Sequence, residues 1–360
     1  MLKDKDPVYV NPASVNHIAT TFKPGEDPVT LAGDWDVRCK TFKEGTEFMR
    51  AYEHVLSGGK WCDTEYYTVT LERLSSGHKT WRNGCRNEAD LIARCKKLDI
   101  WFADMRDNGW RQLPGEDYVT ISVDRKGRYL FNDGQHRLGM AKLLGINRIP
   151  VKVVAWHSGW VKRRAPIAAY AAKHNGFYTE VDHVDFQNVN VHNKGRAGAI
   201  VGNIPAGCTT VLDIGAHWGH FCSKLTQAGH KCTGVELSAS NCRIATILRD
   251  SEDLDYTILG TDIFSYLNKS RSFDVVLALN VFHHFLKNSR GYNKLVGILG
   301  NMDMKCMFLG VHSPTEKPMR TAYRNLAYDE FADFVVKNSC LNSYRVLEDL
   351  PHGRKLYLIS

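Results

Sequence analysis

The stretch that most constrains the fold is Thr210-Val-Leu-Asp-Ile-Gly-Ala-His-Trp-Gly-His-Phe-Cys222. Val211 to Ile214 reads as a buried strand running into a glycine turn, after which a helix opens near Gly219 with Phe221 and Leu225 on one face. Lys231-Cys-Thr-Gly-Val-Glu236 reads as a second buried strand that ends in an acid. Strand, glycine loop, helix, strand, acid is the layout of a parallel nucleoside-binding unit. Its glycines let backbone approach a ligand, and its acid accepts hydrogen bonds from ribose hydroxyls.

The spacing Asp213-x-Gly215-x-x-x-Gly219 differs from the dinucleotide pattern G-x-G-x-x-G and resembles motif I of the class I S-adenosylmethionine (SAM) methyltransferases. The order downstream agrees with that family. Tyr256 to Asp262 is expected as a third strand ending in an acid. Ser272-Phe-Asp-Val-Val-Leu-Ala-Leu279 is expected as a fourth, followed by Asn280-Val-Phe-His-His-Phe285. Lys305 to Val311 follows as a fifth, and Ser343 to Leu347 with Lys355 to Ile359 fit a final antiparallel pair. Strands alternating with helices predict an α/β fold, here a Rossmann-like seven-stranded sheet over residues 206–360.

The resemblance implies SAM as cofactor and a set of roles. Gly215 and Gly219 shape the turn. Asp213 orients the loop or a water near the SAM amino group. Glu236 takes the ribose hydroxyls, and Asp262 accepts from the adenine amino group or caps a helix. His217 stands where the family has a third glycine; histidine tolerates left-handed φ, so the turn is expected to survive. Asn280, His283 and His284 follow the fourth strand, at the carboxyl edge where ligands sit. A histidine there can deprotonate a hydroxyl, because its ordinary pKa is near neutral.

In the other half, Val8 to Val15 reads as a short strand broken by Pro12, and Leu31 to Asp36 as a turn-rich segment. Helical periodicity covers Glu47 to Leu56 and Glu88 to Asn108, with Asn87 as a cap. Tyr118 to Val123 and Arg128 to Phe131 form a hairpin pattern about the turn Asp124-Arg-Lys-Gly127. Asn132-Asp-Gly-Gln-His-Arg137 leads into a helix over Leu138 to Leu144, stopped by Gly145, and the strand Ile149 to Val154 follows. A glycine and free amides at a helix start make an anion site, and Arg137 can grip a phosphate in bidentate fashion.

Val119 to Val154 resembles the ParB/sulfiredoxin-like superfamily, with Gly134-Gln-His-Arg137 in place of its Gly-x-x-Arg signature. The resemblance implies an α+β domain over residues 1–155 that binds a nucleoside triphosphate, ATP or CTP, through Asp133, Gly134, Gln135, His136 and Arg137. Sulfiredoxin chemistry is disfavoured, since Gln135 and His136 stand where its reactive cysteine would. DNA partitioning is disfavoured, because a long helix-turn-helix segment has no room before residue 206. Residues 156–205 are expected as a linker with docking helices over Trp160 to Ala172 and Arg196 to Val201. The C-terminal part also resembles the methyltransferase part of kinase–methyltransferases that cap bacterial surface polysaccharides, through Val281-Phe-His-His284 and the closing Gly353-Arg-Lys-Leu-Tyr-Leu-Ile-Ser360.

Composition narrows the partners. The formal net charge of +8 favours anionic ones: phosphates, acidic glycans or nucleic acid. No Asn/Asp-Pro-Pro-aromatic segment follows the fourth strand, and no cysteine follows proline, so base-flipping DNA methylation is unlikely. The ten cysteines show no C-x-x-C pair and no zinc spacing. They read as buried free thiols in a reducing cytoplasm, and no metal is expected. No apolar run of about 18 residues exists to span a membrane, and no apolar signal region follows Met1 to Asp6. The function expected is SAM-dependent O-methylation of a small-molecule, glycan or phosphorylated acceptor, beside a nucleotide-binding domain that is a candidate kinase. The alternatives are an RNA methyltransferase with an N-terminal adaptor and a nucleotide-gated binding protein with a vestigial SAM fold. An intact set of loop and acid residues argues against the second, and the lack of an Arg/Lys stripe with interleaved aromatics against the first.

Overall fold

The computed structural model describes residues 7–20, 22, 25, 28–78, 84–112, 115, 117–268, 272–350 and 354–360. Met1 to Asp6 and Gly353, on which two expectations rest, lie outside them. The chain forms two compact units. One holds residues 1–165 and 182–188, the other 166–181 and 189–360. The stretch 156–205, expected as linker, is shared between them: Asp182–Asn188 belongs to the first unit, although the chain on either side belongs to the second.

The second unit is built on a seven-stranded sheet. Its order is Thr257–Gly260, Lys231–Glu236, Thr210–Ile214, Ser272–Leu279, Asp303–Val311, Arg354–Ile359, Tyr344–Leu350. The first five strands are parallel; Arg354–Ile359 runs antiparallel to Asp303–Val311 and to Tyr344–Leu350. This is the doubly wound Rossmann-like sheet that the alternation of strands and helices predicts. Both faces are covered, so its strands read as nearly continuous apolar runs. Successive residues enter opposite cores. Leu212, Val276 and Met307 pack on one side with Leu295, Leu299 and Phe331. Val211, Val275 and Phe308 pack on the other with Phe221 and Leu225. Each fully buried side chain of this kind contributes roughly 1.5–3 kcal/mol.

Asp274 of the Phe-Asp-Val-Val segment explains how three strands start in register. Its Oδ2 accepts from the amides of Thr209 at 2.7 Å and Thr210 at 3.0 Å, while Oδ1 pairs with Lys305 at 2.7 Å. Those contacts hold its carboxyl well below the usual range.

The first unit carries a mixed seven-stranded sheet in the order Val8–Val10, Ile149–His157, Val119–Val123, Tyr129–Asp133, His17–Ala19, Cys39–Thr41, with Val29–Leu31 pairing Ile149–His157. Val119–Val123 and Tyr129–Asp133 are antiparallel, and Val119–Val123 is parallel to Ile149–His157. Asp124 closes the hairpin by accepting from the amides of Lys126 and Arg128, both at 2.8 Å. Helices Glu47–Leu56, Glu65–Ser75, Glu88–Asn108 and Gln135–Leu143 share an apolar cluster of Phe48, Tyr52, Tyr66, Leu91, Leu98 and Met140. The Asn87 side chain caps Glu88–Asn108 by accepting from the Asp90 amide at 2.9 Å.

Several elements differ from expectation. The strand expected over Val8 to Val15 ends at Val10, and Pro12–Ser14 turns into a short 3-10 helix capped by Asn11. The helix expected from Leu138 starts at Gln135, so Gln135, His136 and Arg137 form its first turn. The single helix expected over Trp160 to Ala172 is two, Ser158–Arg163 and Ala165–His174. Pro166 explains the break, because it cannot donate to the preceding turn and fits only the start of a new helix. The third strand of the second unit stops at Gly260, and Asp262 caps the helix Ile263–Leu267.

Candidate active site

Strand Thr210–Ile214 ends in a loop with three left-handed residues: Gly215 at φ +75°, His217 at φ +51° and Gly219 at φ +77°. A Cβ on Gly219 would lie 2.9 Å from the Tyr256 hydroxyl, and one on Gly215 would lie 3.2 Å from Val281 Cγ2. Glycine is required at Gly219 by conformation and by space together. His217 adopts the left-handed region that its side chain tolerates. Gly215 and Ala216 donate their amides to the Val235 carbonyl at 2.8 and 3.1 Å, tying the loop to the neighbouring strand. Glu236, at the end of that strand, accepts from the His217 amide at 2.9 Å and from the Ser238 amide at 2.7 Å. It therefore laces the loop to the strand end.

Asp213 is buried beneath the loop, and the Cys222 thiol approaches its Oδ2 at 3.8 Å. Burial pushes its carboxyl up to about 7; the Cys222 contact opposes that, the Glu236 charge adds to it, and Arg196 opposes it. Asp262 is engaged by its own helix, accepting from the Ser265 amide at 3.0 Å and from the Ser265 hydroxyl. Helix capping, one of its two expected roles, is thus visible in the structure. Leu237, directly after Glu236, is 77% exposed, an unusual apolar side chain to leave beside an acid.

Asn280 adopts φ +58° past the end of strand Ser272–Leu279, donating its amide to the Gly310 carbonyl at 3.1 Å. Its buried Oδ1 has no hydrogen-bond partner. His283 packs between two other imidazoles, with ring centroids 4.1 Å from His284 and 4.9 Å from His312. His284 Nδ1 lies 3.1 Å from Lys287 Nζ. Burial pushes His283 down to about 3, and the fields of His284, His312, Lys287 and Arg354 add to this. Burial first and Lys287 next lower His284 as well, and burial lowers His312. The cluster is therefore neutral at physiological pH. Among the described residues, no group of three or more His, Cys, Asp or Glu is arranged to hold a metal ion.

Two groups escaped the sequence analysis. His312 follows strand Asp303–Val311 and meets His283 only because their strands are neighbours. An aromatic strap from residues 166–181 packs on the loop. Tyr170 and Phe177 lie 4.7 and 5.4 Å from Trp218, and Tyr178 lies 5.3 Å from His217, centroid to centroid. The signal in sequence was an aromatic run, Gly176-Phe-Tyr178, with no period to place it.

In the first unit, Gly134 at φ +90° starts helix Gln135–Leu143, and a Cβ there would lie 3.0 Å from Val119 Cγ2. The Gly134 amide is taken by Asp133 Oδ1 at 2.7 Å, and no side chain caps the helix. His136 stacks on Phe48 at 4.4 Å. Asp133, Gly134, Gln135, His136 and Arg137 all line one cavity of about 510 Å³, together with Arg94, Trp101 and Arg111.

A doubly wound sheet with a glycine loop at the carboxyl edge of its first strand defines a nucleoside-cofactor enzyme of the Rossmann-like class. Residues 211–299 match the family described as methyltransferase domain. The chain accordingly contains a methyltransferase domain, and S-adenosylmethionine is the cofactor that such a domain implies. The site fits that cofactor: two glycines that admit no side chain, an acid at the second strand end, and buried polar atoms of Asn280 and Arg196 without partners. No curated protein matches the chain. Among solved structures, the bifunctional kinase-methyltransferase WbdD is similar over 54% of this chain and 46% of its own, at 16% identity and TM-score 0.44. This chain thus spans under half of WbdD's length. A putative O-methyltransferase from Nostoc punctiforme PCC 73102 is similar over 46% of this chain and 55% of its own, at 16% identity and TM-score 0.37. The methyltransferase domain of bacterial CtHen1-C is similar over 46% of this chain and 96% of its own, at 17% identity and TM-score 0.37. No helix among the described residues is long and apolar enough to cross a membrane.

Proposed function

We propose that the second unit transfers the methyl of SAM to an oxygen of a small-molecule, glycan-linked or phosphorylated acceptor, and that the first unit binds a nucleoside triphosphate. When bound, SAM supplies an electrophilic methyl; the chain must orient it and present the acceptor in line. In this reading Glu236 receives the ribose hydroxyls, since each carboxylate oxygen keeps a lone pair beyond the amide it accepts. Asp262 has the same spare capacity for the adenine amino group.

The histidine cluster is the observation that carries the acceptor assignment. Asn280, His283 and His284 follow the strand beside the glycine loop, and His312 joins them. Imidazoles held neutral by burial and by nearby cations can accept a proton only weakly, but they donate N–H bonds and sit in a positive field. That environment suits an acceptor oxygen that is already anionic and needs no strong base. A neutral hydroxyl would need a base of near-neutral pKa. The cavity over Gly134 to Arg137 supports a nucleotide in the first unit, with Arg94, Arg111 and Arg137 for phosphates and Trp101 for a base.

The test is a cell-extract assay with radiolabelled methyl from SAM, run with and without ATP. Labelling that requires ATP, and disappears in Arg137→Ala, supports phosphorylation before methylation. Equal labelling in both conditions leaves the first unit a binding module and overturns the anionic, phosphorylated acceptor in favour of a hydroxyl.

A further inference from the structure

Between Asp274 and Asp303 the chain carries no acid, yet it carries the cations Lys287, Arg290 and Lys294. Arg290 stands in the first turn of helix Ser289–Asn301, where the helix dipole disfavours a cation and no acid offsets it. The fold adds a second basic segment at the Lys287 end of this stretch. The amides of Tyr323 and Arg324 donate to the carbonyls of Lys287 at 3.3 Å and Leu286 at 3.1 Å. The Arg324 guanidinium lies 5.4 Å from the ring of Tyr323 and 5.9 Å from that of Tyr292, and the two rings meet edge to face at 5.7 Å. Tyr323 is 50% exposed, and Arg324 is exposed beside it. Among the described residues Lys287, Arg290 and Arg324 make no ion pair. Acids of the second segment are engaged elsewhere: Glu316 pairs with Arg354 at 3.0 Å, Asp329 accepts from the Tyr357 hydroxyl at 2.6 Å, and Glu330 accepts from the Ala327 amide at 2.7 Å.

This patch adjoins the histidine cluster. Lys287 Nζ lies 3.1 Å from His284 Nδ1, and the His284 ring lies 4.1 Å from that of His283. Unpaired exposed cations attract phosphates, and exposed tyrosine rings with a guanidinium plane offer flat faces. An acidic glycan would use the cations alone. A single strand of nucleic acid uses both, setting phosphates on the cations and unpaired bases on Tyr323 and Arg324. No basic stripe with interleaved aromatics is contiguous in the sequence; backbone pairing of 323–324 with 286–287 assembles one. We infer that this surface holds a single strand of nucleic acid and leads its phosphorylated end to the histidine cluster. The inference rests on that cluster being the acceptor site, and it names the acceptor's class. A terminal phosphate oxygen forms the new O–CH3 bond as the S–CH3 bond breaks, and the S–C electron pair stays on sulfur. The phosphate dianion has no proton to lose, which suits imidazoles held neutral.

The experiment is fluorescence anisotropy on the full chain with a 3′-labelled, 5′-phosphorylated single-stranded RNA of about twelve nucleotides. The same strand annealed to its complement is measured in parallel, and heparin serves as an acidic polysaccharide without bases. Wild type should bind the single strand about fivefold or more tighter than the duplex, whose bases are not free to stack. Tyr323→Ala should weaken the single strand about tenfold, and Arg324→Gln by a similar factor. Lys287→Gln should reduce the salt dependence of log affinity by about 0.7. Calorimetry with S-adenosylhomocysteine should give the same affinity in wild type and Tyr323→Ala, showing that the variant is folded. Equal binding of duplex and single strand overturns the inference, as does Tyr323→Ala binding as tightly as wild type. Heparin binding tighter than the RNA overturns it in favour of an acidic glycan. Failure to bind RNA by a protein that binds S-adenosylhomocysteine overturns the strand and leaves the methyltransferase reading in place. RNA bound with the Tyr323 dependence, but with no methyl passing from SAM to its 5′ phosphate, overturns the acceptor assignment of the cluster instead.

Discussion

Gly134 and Gly219 hold the same backbone position in two different settings. Each adopts left-handed φ, starts a helix with no side-chain cap, and lies where a Cβ would crowd a neighbour. The glycine device is therefore common to both units, and what surrounds it differs. Around Gly219 the sheet is parallel, the acid Asp213 is buried, and Glu236 from the next strand holds the loop. Around Gly134 the preceding strand belongs to a hairpin, the adjacent Asp133 is exposed and bonds the glycine's own amide, and arginines line an open cavity. The first setting is a hydrogen-bonded loop over a buried acid; the second is a solvated basic wall. A glycine at a helix start says that something can approach, and the burial and charge of its neighbours decide what.

The largest effect should separate the two devices. Gly219→Ala combines left-handed strain with the clash on Tyr256, and should reduce SAM affinity at least a hundredfold while lowering stability by about 1–3 kcal/mol. Gly134→Ala should destabilise the first unit similarly and leave SAM affinity in place. Calorimetry and thermal unfolding on both variants measure this, and a shared loss of SAM binding would break the comparison.

Next, Glu236→Ala should weaken SAM by about 1.5–3 kcal/mol, the value of a hydrogen bond to a charged group. Calorimetry reads it, and undiminished affinity removes the ribose assignment. Arg137→Ala should weaken ATP or CTP, titrated in turn, by about tenfold, close to 1.4 kcal/mol. If neither nucleotide binds wild type, the basic wall serves another anion.

The smallest effect is in pH. The folded-state pKa of Asp213 is raised to about 7, so the native chain holds this proton where the unfolded chain has lost it. Stability from this group should fall as pH rises from about 4 to about 7. Asp213→Asn should therefore raise the melting temperature of the ligand-free protein by a few degrees at pH 8 and hardly at all at pH 4. Cys222, Glu236 and Arg196 are the groups that face Asp213, and an arriving ligand ammonium would favour its ionised form. SAM affinity of the wild type should then rise several-fold from pH 6 to pH 8; a flat profile would remove Asp213 from the ammonium.

The second unit was the more legible in sequence. Parallel strands buried on both faces leave long apolar runs, and Val211 to Ile214 or Val275 to Leu279 can hardly be anything else. The helix Glu65–Ser75 was not legible. Its Tyr-Tyr-Thr-Val-Thr stretch suits a strand by propensity, and packing of Tyr66, Tyr67 and Thr70 into the helical layer overrides that. Three-residue strands such as His17–Ala19 and Val29–Leu31 are too short to show alternation. In the site, the loop glycines and strand-end acids lie at fixed spacings and could be found. His312 and the aromatic strap could not, since their positions come from neighbours far along the chain.

Asp182–Asn188 carries one more consequence, for inheritance. Asp185 receives the indole N–H groups of Trp156 at 2.9 Å and Trp160 at 2.7 Å and pairs with Arg164, and Gln187 accepts from the Tyr9 amide at 3.0 Å. This short return segment completes the first unit after the second has already begun. No single breakpoint in the gene yields both units whole: a split after codon 165 deprives the first of its last segment, and one after codon 188 deprives the second of Tyr170 and Tyr178. The two halves must therefore be gained, lost and exchanged together, and related genes should carry them as one reading frame far more often than as separate neighbours.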